Sequence, residues 1–203
     1  MNHLSEINIY TIDHDDRIQS VSGDWDRFAV ANDAAELVGS NILNTSFWNH
    51  ICGDTTIEIY RQILTAARAG KLMRFDLRCD SPERRRFLNM TVEGTMDNGV
   101  RFEIITKSVE ERASQEVFRR FGQCSECVVV TCSWCKRIRA GEGLWYEVEE
   151  AVPILGLFEV DKVPQLSHGM CEECYEVVMR TITTPQAFPR LLNEKEENLS
   201  GDL

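Results

Sequence analysis

The stretch MRFDLRCDSPERRRFLNMTVEGTMDNGVRFEI, residues 73–104, decides the fold class. Met73, Phe75, Leu77 and Cys79 alternate with Arg74, Asp76 and Arg78, and Leu88, Met90 and Val92 alternate in the same way. A period of two sends the apolar set to one face of a strand and the polar set to the other. Asn98-Gly99 is a tight-hairpin signal, because the favoured two-residue turns need positive φ. Val100, Phe102 and Ile104 resume the alternation beyond it. Three consecutive antiparallel strands are expected here.

Upstream, Thr55 and Thr56 can cap a helix in which Ile57, Tyr60, Ile63, Leu64 and Ala67 share a face, with Gly70 just past its end. Trp25, Phe28 and Ala29 fall at helical spacing, and residues 33–38 continue in short helical pieces. Ile7 to Ile12 alternates as a strand, His14-Asp15-Asp16-Arg17 supplies a polar turn, and Ile18 to Val21 returns. Two strands, helices, then three strands imply an α+β unit over residues 1–108, a five-stranded antiparallel sheet with helices on one face. Downstream, Val109, Ala113, Val117 and Phe121 recur every four residues. A connector helix over 109–123 is expected, pairing with a second copy through 109–121 or packing back on its own chain.

The chain has 203 residues with 22 basic and 33 acidic side chains, a net charge of −11. Such a balance repels a polyanion, so nucleic acid is not an expected partner. The basic runs at 83–86 and 136–139 read as solvated surface, and neither is interleaved with aromatics. No stretch approaches the roughly 20 apolar residues that span a bilayer, and the first residues lack a signal-peptide pattern. A cytoplasmic, non-membrane protein is the expectation, with reduced thiols. In that setting clustered cysteines point to metal or redox chemistry rather than disulfides.

Of eight cysteines, only Cys52 and Cys79 precede residue 123. Cys132-Ser133-Trp134-Cys135 and Cys171-Glu172-Glu173-Cys174 form two Cys-x-x-Cys pairs separated by 35 residues. Two residues between cysteines let both sulfurs reach one ion while the intervening amides turn toward them. Zinc is the expected cofactor, held by Cys132, Cys135, Cys171 and Cys174, with one pair in a turn and the other opening a helix. Leu144, Trp145, Val148 and Val152 suggest a helix stopped by Pro153, and Tyr175, Val178 and Ile182 mark a second helix face. A small zinc-stabilised helical module over 124–185 follows, then an acidic tail over 186–203. Cys124 and Cys127 make a third pair, read as free thiols, alternative ligands or a redox dithiol. His168 is an alternative ligand or a hydrogen-bond donor to a thiolate. Trp134 and Trp145 read as core residues of the module.

The order of elements over residues 5–108 resembles a PAS domain. Thr11 to Ile18 is similar to that family's opening hairpin, with Asp16 where the family has glycine, and Phe28 with Leu37-Val38-Gly39 matches its short-helix stretch. The resemblance implies a sensor fold with a cavity between sheet and helices, for which Trp25, Phe28, Tyr60, Phe75 and Phe102 are the expected lining. It implies no particular ligand: the flavin-adduct cysteine run is missing around Cys52, and His50, the one histidine near the long helix, precedes it. Residues 130–180 are similar to a cysteine module found at the ends of bacterial two-component and PAS proteins, through Cys-x-x-Cys-Lys-x-Ile-Arg and Ser-His-Gly-x-Cys-x-x-Cys. Together these imply a bacterial-type signal-transduction regulator that senses a ligand or partner and acts through contacts with a signalling protein. No catalytic constellation is recognised. The rival expectation is a thiol-redox or zinc-release switch, or a thiol oxidoreductase.

Overall fold

The computed structural model describes residues 6–32, 34–118, 124–157 and 163–184. The first sheet contains β1 (Ile7–Ile12), β2 (Ile18–Gly23), β3 (Met73–Ser81), β4 (Arg84–Gly94) and β5 (Val100–Glu111). All its pairings are antiparallel, in the order β2-β1-β5-β4-β3. Between β2 and β3 run α1 (Trp25–Ala31), α2 (Gly39–Ile42), two 3-10 turns and the long α3 (Asp54–Arg68). The α+β class and the five-stranded antiparallel sheet are as the alternation predicts.

The helices cover one face of this sheet. Ile12, Met73, Phe75, Met90, Val92, Val100 and Phe102 point into that layer and are buried. Against them α3 buries Thr56, Ile59, Ile63, Leu64 and Ala67. Ile59 takes the place that spacing assigned to Ile57, and Gly53, not a threonine, is the N-cap residue. The β4–β5 hairpin is present, but its loop is five residues long, with Asn98 in the left-handed region at φ 61°. The β1–β2 turn is held by the Asp13 carboxylate, which accepts the backbone N–H groups of Asp15 and Arg17.

Among the described residues of 109–123 the connector helix is not formed. Residues 109–111 extend β5, with Arg86 opposite Val109, Arg85 opposite Glu110 and Arg84 opposite Glu111. The two-residue β3–β4 turn at Pro82-Glu83 carries β4 back far enough to offer a partner, and cross-strand pairing overrides a four-residue periodicity. β5 ends at Glu111, Arg112 and Gln115 donate backbone N–H groups to the Glu83 and Pro82 carbonyls, and residues 116–118 form a single 3-10 turn. Phe121 lies outside the described residues; Val109 on a strand and Val117 in a 3-10 turn share no helix face. Val117 is buried inside its own chain with Val129, Ile138, Val148 and Ala151. Val117→Glu is therefore expected to cost about 3 kcal/mol or more in folding stability, by placing a carboxylate in an apolar cluster. Urea unfolding checks this; a variant of wild-type stability altered only in sedimentation would return the residue to an intermolecular seam.

The cysteine-rich half is built on a sheet, which corrects the expectation of a purely helical module. β6 (Cys124–Cys132), β7 (Ile138–Arg139), β8 (Trp145–Tyr146) and β9 (Val163–Gly169) stand in the order β8-β7-β6-β9. β6 and β9 run parallel, and the other pairs are antiparallel. α4 (Val148–Ile154) and α5 (Glu172–Thr183) complete it. The segment predicted as one helix from Leu144 divides into β8 and α4, whose last turn accommodates Pro153; Leu144 is exposed. Among the described residues no helix is long and apolar enough to cross a membrane.

The halves share one apolar core. Cys132, Trp134, Cys171 and Val178 belong to the same buried cluster as Phe75 and Phe102, with Tyr60 packed against it. The outer edge of β3 is covered by the cysteine turn, where the Arg78 N–H donates to the Trp134 carbonyl at 2.8 Å. An edge strand left bare would be a site for unwanted pairing. Gly53 permits a second close approach: its φ is 87°, and a Cβ there would sit 2.3 Å from the His168 carbonyl oxygen. The Lys71 ammonium donates to carbonyls at the C-terminal end of α5, where the helix dipole favours a cation.

Candidate metal centre

Cys132 ends β6, and its N–H donates to the Arg137 carbonyl at 2.8 Å as the chain reverses. Lys136 makes that reversal possible with φ 63°, and its N–H donates to the Cys132 carbonyl at 3.0 Å. Ser133 N–H donates to the Gly169 carbonyl at 2.8 Å, bringing the end of β9 beside the turn. Cys171 then serves as the N-cap residue of α5, and Cys174 lies in its first turn. The four sulfurs lie within 4.8 Å of one another, with Cys132 and Cys171 buried and Cys135 and Cys174 half-buried. Two cysteine pairs with 35 residues between them thus meet at one point, close enough to hold a single metal ion.

The polar surroundings suit negative sulfur. The Cys171 N–H points at Cys132 Sγ, 3.5 Å away. Arg137 donates to Cys135 Sγ at 3.3 Å and to Cys171 Sγ at 3.6 Å, and pairs with Glu173. That carboxylate, with the two thiols, holds the guanidinium more firmly protonated than usual. Cys132 is held well below the ordinary thiol value by hydrogen bonds from Cys135 and Cys174. Burial pushes Cys171 up to about 11, and Cys174 rises well above the ordinary value as the proton donor to Cys132 and Cys135. Four crowded sulfurs do not ionise together unaided; a cation at their centre removes that obstacle.

His168 is exposed on β9, and among the described residues no hydrogen bond joins it to a sulfur. Arg137 makes the contacts expected of it. The basic run at 136–139 had hidden that role: alternation from the cysteine turn into β7 aims Arg137 at the sulfurs and Ile138 into the core. Cys124 and Cys127 lie on β6, and their side chains fall outside the described residues, as does the 186–203 tail.

Trp134, between the first two cysteines, belongs to the larger core rather than to the module alone. It is 4% exposed and meets Tyr60 of α3 at 5.8 Å between ring centroids and Phe75 of β3 at 5.9 Å. Trp145 is half-buried. An ion network adds a second tie. Arg78 on β3 makes a bidentate pair with Asp80 through Nε and Nη2, and its Nη1 donates to both carboxylate oxygens of Glu147, the N-cap residue of α4. Arg85 and Arg112 extend it through Glu147, Glu149 and Asp80.

The five residues expected to line a cavity separate into two sets. Phe75 and Phe102 are buried core, and Phe102 stacks on Tyr10 at 4.5 Å and on Phe47 at 5.7 Å. Trp25, Phe28 and Tyr60 line a partly open cleft of about 890 Å³ between the sheet and the short helices. Trp25 donates its indole N–H to the Leu37 carbonyl, and burial pushes Tyr60 up to about 12. Cys52 is exposed, and the His50 ring bonds Thr45. In comparisons with known proteins, no family matches this chain and no curated protein does.

Proposed function

We propose that this chain is a signal-transduction regulator in which a PAS-like sensor unit is coupled through a common core to a structural zinc module. The order of elements supports the PAS reading: a hairpin, short helices, one long helix and three strands, with an open cleft beneath the short helices. Asp16, at the family's glycine position, adopts φ 59°. The strain is offset locally, since its carboxylate accepts the Trp48 indole N–H at 2.8 Å and pairs with Arg68 at 2.6 Å.

Zinc is the ion that these ligands suit best. Zn–S bonds near 2.3 Å in a tetrahedron separate sulfurs by about 3.8 Å, and Cys135 and Cys171 are 3.8 Å apart. Four thiolates leave no position for a reactive water, which favours a structural ion over a catalytic one. The burial of Cys132 and Cys171 also disfavours either as the accessible attacking sulfur of an oxidoreductase.

The observation that carries the coupling is Trp134: a residue inside the metal-binding turn packs between the long helix and the outer strand of the sensor unit. A rearrangement on either side has to move it. Comparing amide exchange in zinc-loaded and chelator-stripped protein tests this. Stripping is expected to expose not only β6 and α5 but also α3 and β3. Unchanged protection in α3 and β3 would make the module an independent appendage, and the coupling would be abandoned.

A further inference from the structure

Arg86 stands apart from the other buried and half-buried arginines. It lies on β4 between the exposed Arg84 and Leu88, on the face that the helices cover, and is 4% exposed. The basic run at 83–86 is thus not wholly solvated surface. Arg68, Arg78, Arg85, Arg101, Arg112 and Arg137 each pair with a carboxylate. Among the described residues no carboxylate pairs with Arg86, and its buried Nη1 has no hydrogen-bond partner. Its guanidinium lies 5.4 Å from the centre of the Phe28 ring.

Both Arg86 and Phe28 line the 890 Å³ cleft, within the roughly 300–1,000 Å³ of small-molecule sites. Asn8 lines it too, with a buried and unpartnered Oδ1. Thr106, opposite Leu88 on the same inward face, has an unpartnered hydroxyl as well. Trp25, Leu37, Leu88 and Ile104 supply apolar wall. Buried polar groups in native proteins are satisfied, and a charge buried without a counter-ion is the costliest exception. Three such groups on one face beside one cleft mark a place for a ligand.

We propose that the cleft binds a small organic monocarboxylate with an apolar body, its carboxylate taken by Arg86 and its body lying against Trp25, Phe28 and Leu88. The planar guanidinium fork matches a carboxylate. Arg78, Arg84 and Lys136 also line the cleft, with Asp80 and Glu83. Arg78 is already paired with Asp80 and Glu147, and Lys136 donates to the Ser133 carbonyl. Among the described residues Arg86 is thus the buried cation left without a carboxylate, which fits a monoanion. This inference rests on the reading of the N-terminal unit as a ligand sensor and names the class of ligand.

The test uses the full zinc-loaded chain and calorimetric titration with octanoate, 4-phenylbutyrate and phenylacetate, beside their primary amides and inorganic phosphate. At least one carboxylate is expected to bind, with its amide and phosphate at least tenfold weaker. Arg86→Met is expected to lose that preference and to melt above the unliganded wild type, because an uncompensated buried charge is removed. If no carboxylate binds, if amide and acid bind alike, or if Arg86→Met is destabilised or fails to fold, the assignment is overturned and Arg86 is structural. The spread of amide exchange on zinc removal is independent of these titrations. It can stand when the carboxylate inference falls, and its own failure leaves the binding result intact.

Discussion

Cys171→Ser is expected to leave the chain without stoichiometric metal and with α5 and the ends of β6 and β9 unprotected. Wild-type protein should carry about one zinc per chain, and loss of one thiolate opens a shell that tolerates no vacancy. Structural zinc contributes roughly 10–16 kcal/mol of apparent binding free energy in small modules, far more than the short β7, β8 and α4 can replace. Cys132→Ser, Cys135→Ser and Cys174→Ser should behave alike, while Cys124→Ser and Cys127→Ser should keep the ion. Metal analysis of the dialysed proteins, with amide exchange, measures both effects. Stoichiometric zinc in Cys171→Ser would remove that sulfur from the shell, and its loss in Cys124→Ser would mean that the ligand set is wrongly drawn.

The four-cysteine cluster was legible because such pairing is local in sequence: each pair is closed by one turn, and the pairs need only topology to meet. The alternation from Met73 to Ile104 was legible for a similar reason, since a half-buried strand must write its two faces into the chain. The errors fall where a distant partner decides. Val109 to Glu111 reads as helix alone but has β4 beside it. Val163 to Gly169 gave no strand signal, because it pairs in parallel with β6 across a connection of some thirty residues. Arg86 read as surface because its neighbours are charged; only the sheet shows that alternate residues of a basic run face opposite ways. Trp134 was assigned to the module, since nothing local reveals that the cysteine turn docks on another unit.

Trp134→Ala is expected to cost about 3–5 kcal/mol, the range for truncating a buried large aromatic side chain. The loss should fall on both halves. In the N-terminal unit, Tyr60 and Phe75 lose the ring they pack against, and the edge of β3 keeps the backbone bond from Arg78 to the turn. On the metal side, the sulfurs and the Arg137 contacts do not involve the indole, so zinc should remain at about one per chain. The variant therefore separates what zinc removal cannot: it keeps the ion while weakening the joint. Amide exchange should rise in α3 and β3 with the cysteine turn still protected. A double-mutant cycle with Phe75→Leu should return a coupling of about 0.5–1.5 kcal/mol, the range for a buried aromatic pair. Loss of zinc with α3 and β3 unchanged would reverse the assignment, making Trp134 a support for the metal turn and leaving the ion network around Arg78 as the principal tie between the units.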